Sequence, residues 1–205
     1  MNRHVDGRHP RNARRLFCCA ALLLLSSALS TAATAFDVTE LMAALSKIEQ
    51  NTVGFEETKY VAALTQPLVR RGTLHYVRPN QLEMQVDKPY FEKLTIVGDL
   101  LTIETRSGTR QLDLSNQPAA SAWVESVRST LAGDLPSLSR HYRSTVAGDK
   151  GAWTLDLEPL EPTLAKLVKR ISLKGSDADI TRISIEEQQG DRTVLVLSAL
   201  AQASR

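Results

Sequence analysis

Few side chains in this sequence have the types and spacing that catalysis requires. Beyond residue 35 the histidines are His75 and His141, and neither lies in a nucleophile or metal-ligand motif. The carboxylates Glu56 and Glu57 are adjacent in a predicted strand, so they point to opposite faces and do not form a two-carboxylate site. The segment "SDADIT" lacks the later ligands of a calcium loop and is interpreted as a hairpin turn. The sequence therefore predicts no catalytic residue, no metal site and no cofactor.

One charged residue stands out by its position. In "LHYVRPNQLEMQVDKP" (residues 74–89), two alternating strands flank an Arg-Pro-Asn turn, and counting by twos from Leu74 leads through Tyr76 to Arg78. Arg78 thus has the parity of an apolar interior. A guanidinium there is costly unless its donors are used, and the carbonyls at a helix end are a ready set of acceptors. Two interpretations stay open: Arg78 bonds such carbonyls, or it bends out to solvent at the turn.

The first 35 residues have the three parts of a secretory signal peptide. Five arginines precede or open the apolar run from Leu16 to Leu29, and Ala33-Thr34-Ala35 has the form of a cleavage site. We expect cleavage after Ala35 and export of the remaining chain to the periplasm.

Removal of this leader changes the charge of the protein. The whole chain has 25 Lys and Arg against 23 Asp and Glu, and residues 36–205 retain 20 and 22, a net charge of about −2. No basic face remains that would bind nucleic acid. Both cysteines, Cys18 and Cys19, lie in the leader, so the exported chain must be stable through its core alone. Residues 36–205 are interpreted as a single domain, expected to be monomeric.

Hydrophobic periodicity predicts the order helix, strands, helix, strands. The segment "FDVTELMAALSKIEQ" (residues 36–50) has helical spacing behind the capping pair Asp37 and Glu40. Residues 53–113 alternate with period two between short turns, as is typical of an antiparallel meander. "SAWVESVRSTLAG" (residues 121–133) returns to helical spacing, and further strands follow it. A sheet of ten or so strands usually curls, and we expect the two helices to cover its opening.

The apolar faces of these strands either pack a filled core or line a cavity, because both need the same residue types. Aromatic residues are only 5% of the chain, so few rings are present to fill the middle of a curved sheet. This scarcity favours an open apolar space over a filled core, and a methionine in the wall suits adaptable contact. The expected cavity residues are Leu74, Tyr76, Leu82, Met84, Leu94, Ile96, Leu101 and Ile103 of the sheet, with Trp123, Val127 and Leu131 of the second helix.

The chain beyond the leader resembles LolA, the periplasmic outer-membrane lipoprotein carrier, and the LolA-like proteins. The best-matching segment is "GTLHYVRPNQLEMQVDKPYFEKLTIVGDLLTI": a strand opened by glycine, an Arg-Pro-Asn turn, a second strand ending near a proline and a Gly-Asp hairpin. "FEETKY" before it and "ISIEEQQGDRTVLVLSAL" near the end are also similar to family segments. The ordered set carries the resemblance, which covers nearly all of residues 36–205.

The resemblance implies a mainly β fold with helices, an unclosed antiparallel barrel of about 10–11 strands lidded by helices. It also implies a function without catalysis, in which an apolar cavity takes acyl chains from an inner-membrane transporter and delivers them to an outer-membrane acceptor. The arginine that latches the lid in this family falls on Arg78. The cargo is either an acylated lipoprotein or another acyl lipid, including a polyene pigment.

A lipid-sensing regulatory domain of the same fold is the alternative function. A carrier must release its ligand to an acceptor, whereas a sensor must signal through a second domain or a membrane anchor. We expect neither of these in the exported chain and therefore favour the carrier.

Overall fold

The computed structural model describes residues 36–200, with the side chains at positions 118, 119, 122 and 123 left out of the description. Its eleven strands, within this range, form one antiparallel sheet. They are β1 Gln50–Tyr60, β2 Leu68–Val77, β3 Gln81–Lys88, β4 Glu92–Val97, β5 Leu100–Thr105, β6 Gly108–Asp113, β7 Tyr142–Asp149, β8 Ala152–Pro159, β9 Val168–Ser176, β10 Asp179–Glu187 and β11 Arg192–Ala199. The leader and the last five residues lie outside the described part, so the signal-peptide prediction has no structural counterpart.

The sheet consists of two meanders that meet in its middle. Strands β1–β6 form one meander and β7–β11 the other, and the two are joined because β1 pairs with β11. The order is β6-β5-β4-β3-β2-β1-β11-β10-β9-β8-β7, so β6 and β7 are the edge strands and the sheet is not closed. The prediction of a mainly β fold, with an unclosed antiparallel sheet and a few helices, is confirmed.

Four α-helices accompany the sheet in the described residues: α1 Val38–Leu45, α2 Pro118–Ala132, α3 Leu135–His141 and α4 Pro162–Ala165. The side chain of Asp37 accepts a hydrogen bond from the Glu40 amide at 2.9 Å and so caps α1 as expected. Helices α3 and α4 were not predicted, because seven and four residues are too short to show a clear helical period. The cap of α3 is nevertheless visible in the sequence, since Asp134 accepts from the Ser137 amide at 3.0 Å.

The end of α2 lies close to α1 because of one glycine. Gly133 has φ of +66°, the left-handed conformation that commonly ends a helix. A Cβ built at this position would lie only 2.2 Å from the Met42 carbonyl oxygen of α1. Only a residue without a side chain therefore allows this approach of the two helices.

Two groups of buried side chains have very different sizes. The larger one fills the space between strands β7–β9 and helices α1, α3 and α4, and its buried members are Leu41, Met42, Leu45, Leu138, Tyr142, Trp153, Leu155, Leu157, Leu164, Val168, Ile171 and Leu173. The smaller one joins Ile96 of β4 to Val124 of α2 and to Leu114, in a 3₁₀ turn before that helix. The core of the protein thus lies mainly on the β7–β9 side.

Among the described residues, the helices are all too short or too polar to cross a membrane.

Candidate functional site

A large apolar cavity lies between the covered face of the sheet and the helices α1 and α2. Its volume is about 1360 Å³, counting the space at its mouth. Of its 24 described lining residues, 19 are aliphatic or methionine, and the remaining five are Asn51, His75, Tyr76, Ser126 and Thr130. None of these described residues is Asp, Glu, Lys or Arg. A space of this kind accommodates hydrocarbon and provides few partners for polar groups.

Most of the residues predicted from the strand parity lie in this wall. Eight of the eleven line the cavity: Leu74, Tyr76, Leu82, Met84, Leu94, Ile96, Val127 and Leu131. Leu101 instead packs against the small cluster around Ile96, and Ile103 is not among the described lining residues. The side chain of Trp123 lies outside the described part of the structure. That these residues bind acyl chains remains a prediction.

Strand pairing explains why the six sheet residues among these eight meet. Leu74 of β2 pairs with Met84 of β3, which pairs with Leu94 of β4, and Tyr76, Leu82 and Ile96 form the next row. Residues in such rows point to the same face of the sheet. Two adjoining apolar rows therefore run across three strands.

The other half of the wall was not predicted as such. It consists of aliphatic residues from the second meander and from α1, mainly Ile180, Ile183 and Ile185 of β10, Leu195 and Leu197 of β11, and Leu45 and Ile48 at the end of α1. Their alternation is visible in "DITRISIEEQ" and "RTVLVLSAL". Their place opposite Leu74 depends on the pairing of β1 with β11, which joins segments about 140 residues apart.

Charged side chains limit the apolar wall at one end. On β1, Asn51 and Val53 line the cavity and Phe55 is buried, but the next residue of this parity is Glu57. Glu57 is only 6% exposed, and both of its oxygens accept hydrogen bonds from Arg70 at 2.9 Å. Arg70 also donates to Glu92 at 3.1 Å. A buried carboxylate held this way by a guanidinium avoids the cost of an unpaired charge.

Arg78 lies at the opposite end, beside α1. Its guanidinium donates a hydrogen bond to the carbonyl oxygen of Ser46, the residue that ends α1. Its backbone amide donates to the Glu49 carbonyl at 2.9 Å. The last carbonyls of a helix lack partners within the helix, and a cation is favoured at that end of the helix dipole. The structure therefore joins Arg78 to the helix covering the cavity, as the first of the two interpretations proposed.

Tyr76 is the main polar feature of the wall near this end. The residue is 4% exposed, and its hydroxyl has no hydrogen-bond partner among the described residues. Burial raises the pKa of this hydroxyl above its ordinary value, and the nearby Arg78 guanidinium partly opposes that shift. The hydroxyl is therefore protonated at neutral pH and is able to donate.

The residues considered for catalysis are separated in the structure. His75 is half-buried and borders the cavity, and its Nδ1 lies 2.6 Å from the Thr52 hydroxyl. His141 ends α3, and its Nδ1 lies 2.6 Å from a Glu161 oxygen. In the described part of the chain, no three His, Cys, Asp or Glu residues come together as a metal site.

Comparison with known proteins supports one family. A model described as "Outer membrane lipoprotein carrier protein LolA-like" matches residues 30–205. The chain belongs to this LolA-like family. No curated protein matches the chain.

Solved structures that resemble this LolA-like protein are distant in sequence. One is a LolA superfamily protein from Nitrosomonas europaea, with 12% identity and a TM-score of 0.44, covering 80% of this chain and 92% of that one. The MucA/MucB complex of Pseudomonas aeruginosa has 10% identity and a TM-score of 0.43, covering 80% and 59%. The lipoprotein LppX of Mycobacterium tuberculosis has 10% identity and a TM-score of 0.41, covering 77% and 93%. The family assignment depends on the family model, and the predicted resemblance to LolA is confirmed by it.

Proposed function

We propose that this LolA-like protein is a periplasmic carrier that binds acyl chains of a lipoprotein or another lipid and moves them from the inner to the outer membrane. An inner-membrane transporter would load the cavity, and an outer-membrane acceptor would empty it. Export would follow cleavage of the leader after Ala35, and the protein itself would catalyse no reaction.

The observation that carries this proposal is the apolar cavity. Its wall is lined predominantly by aliphatic side chains, as is typical of pockets that bind apolar ligands, and the space opens to solvent at its mouth. Each CH₂ group moved from water to such a wall contributes about 0.8 kcal/mol. An acyl chain is therefore bound strongly without any specific polar contact.

Arg78 supports the second half of the cycle, which is release. While its guanidinium bonds the Ser46 carbonyl, α1 is held against the rim of the sheet. Chains that enter must displace the helix, and the binding energy of the ligand opens the contact. When the ligand leaves, the contact forms again and opposes rebinding. This gives the protein a closed empty state and an open loaded state.

Ligand binding is tested by comparing two neighbouring positions on β4. Leu94 lines the cavity, whereas Thr95 points to the opposite face of the sheet. The processed protein, purified from the periplasm of cells expressing the full chain, is titrated with a fluorescent fatty acid. We expect saturable binding that Leu94→Trp weakens at least about tenfold by filling the cavity, and that Thr95→Trp leaves unchanged. Absence of saturable binding by the wild type would reject the function.

Handover separates the carrier from the lipid-sensing alternative. Protein loaded with the fluorescent fatty acid is mixed with acceptor vesicles, and transfer is compared with spontaneous release into buffer. A carrier accelerates delivery to the membrane, whereas a sensor retains its ligand. Sequencing of the N-terminus of the periplasmic protein tests the export step, and the expected first residue is Phe36.

A further inference from the structure

We propose that the Tyr76 hydroxyl recognises the ester or amide carbonyl of the cargo, so that the cavity selects acyl lipids over pure hydrocarbons. This inference rests on the proposed function and specifies its substrate class. It concerns the Tyr76 hydroxyl, which has no role in the apolar binding of a hydrocarbon chain.

The first step is the state of the hydroxyl itself. Tyr76 is 4% exposed, yet its oxygen has no hydrogen-bond partner in the part of the chain that is described. Buried polar atoms in proteins are nearly always hydrogen-bonded, because a lost bond to water is otherwise not replaced. Phenylalanine would provide the same ring without this cost, so the hydroxyl itself calls for a function.

The second step is its position in the wall. Tyr76 lies two residues before Arg78, at the end of β2 that adjoins the end of α1. The strand residue opposite it on β1 is Asn51, another polar residue of the described lining. Farther along the same face, Leu74 and its neighbours Val53 and Met84 are apolar. Tyr76 thus lies at the end of the wall where Arg78 contacts the end of α1, and apolar residues follow it along β2 and the neighbouring strands.

The third step is the match with an acyl lipid. Such a ligand has one carbonyl group followed by a long hydrocarbon chain. The wall has the same order, with a polar group at one end and apolar residues beyond it. With the chain in the wall, the carbonyl lies near the rim, where the protonated Tyr76 hydroxyl donates to it. Opening of the Arg78 contact with Ser46 on loading uncovers this part of the rim. A hydrocarbon of the same length leaves the hydroxyl unpaired.

The test compares two ligands and two variants. Methyl palmitate and hexadecane compete with a fluorescent fatty acid for the wild type, for Tyr76→Phe and for the control Tyr90→Phe, whose tyrosine is 76% exposed. We expect Tyr76→Phe to reduce the preference for the ester over the hydrocarbon by about threefold to tenfold, with hexadecane binding unchanged or slightly improved. Tyr90→Phe keeps the wild-type preference. The ratio of the two affinities is compared between the proteins, so the different solubilities of the two ligands cancel.

The outcomes separate this inference from the function on which it rests. Wild-type protein that binds neither competitor contradicts the carrier itself. Binding of both, with the same preference in wild type and Tyr76→Phe, rejects the role of the hydroxyl and leaves the carrier intact. An equal loss of both ligands in a variant that melts like the wild type also rejects it, because it indicates a change of shape.

Discussion

Strands β8 and β3 have the same alternation of apolar residues, yet they lie in different surroundings. Trp153 and Leu155 of β8 are 2% and 0% exposed and belong to the large core. Leu82 and Met84 of β3 are half-buried and face the cavity. Similar alternation therefore serves two purposes: Trp153 and Leu155 of β8 lie in the filled core, whereas Leu82 and Met84 of β3 form part of the cavity wall.

The helices cause this difference. Helices α1, α3 and α4 all place leucines between themselves and β7–β9, where Leu155 is fully buried, and the cavity borders this core at Leu157, Ile171 and Leu173. Over β3 and β4, α2 contributes Val124 to a small cluster, while Val127 and Leu131 of the same helix line the cavity. An apolar strand face thus becomes core only where a helix packs directly on it.

The largest expected effect is a difference in stability between a substitution in the large core and one in the cavity wall. Leu155→Ala should lower the free energy of unfolding by about 2–5 kcal/mol, because it leaves a new enclosed void. Leu94→Ala should cost about 1 kcal/mol, because Leu94 is half-buried and already borders empty space. Urea unfolding without ligand measures both. Equal losses would mean that the two sides are packed alike.

A smaller effect is expected on binding when the rim contact is removed. Arg78→Leu loses the hydrogen bond to the Ser46 carbonyl, which contributes about 1.5–3 kcal/mol for a charged donor. Ligand entry no longer breaks this bond, so affinity for a fluorescent fatty acid should rise by about tenfold to a hundredfold, and handover to vesicles should slow.

The control for this change lies on β2, the strand that ends just before Arg78. Arg71 is exposed and bonds Glu56 at 2.7 Å on the other face of β2, so Arg71→Leu should alter neither affinity nor handover. If a folded Arg78→Leu protein behaves like this control, Arg78 does not act as a latch.

The smallest expected effect is on the pH dependence of stability, at helix α3 beside the large core. Asp134 caps α3, and hydrogen bonds from the hydroxyl and the amide of Ser137 hold the pKa of its carboxyl below the ordinary 3.8. A lowered pKa in the folded state means that this stabilisation is present above pH 3.8 and is lost as the pH falls through the folded value. Asp134→Asn keeps a capping oxygen without the titration. The free energy of unfolding of the wild type should exceed that of the variant by about 0.3–1 kcal/mol at pH 6.

The measurement is thermal unfolding of both proteins from pH 6 down to pH 2.5. The gap between them should close below about pH 3.8, with ligand binding at pH 6 unchanged. A gap that stays constant over this range would show that the charge on Asp134 does not stabilise α3.

Local signals predicted much of the fold. Asp37 and Gly133 mark a helix start and a helix end that the structure has, and the turn residues separate the strands where β3, β4 and β5 are separated. The short helices α3 and α4 were not predicted, because one or two turns do not show a helical period. For the site, parity predicted that Leu74, Met84 and Leu94 face the same side, and strand pairing places them in one row. Parity also suggested Ile103, which is not among the described lining residues.

By itself, the sequence determined which residues share a face, since alternation in a strand has a period of two and pairing through short turns is local. It also determined that Arg78 has the parity of an apolar face. Only the tertiary structure decided what each face meets. The pairing of β1 with β11 brought Leu195 and Ile183 into the wall, and the docking of α1 placed Ser46 within reach of Arg78. The physical reason is that apolar residues favour any surroundings without water, whether a filled core or a cavity for chains.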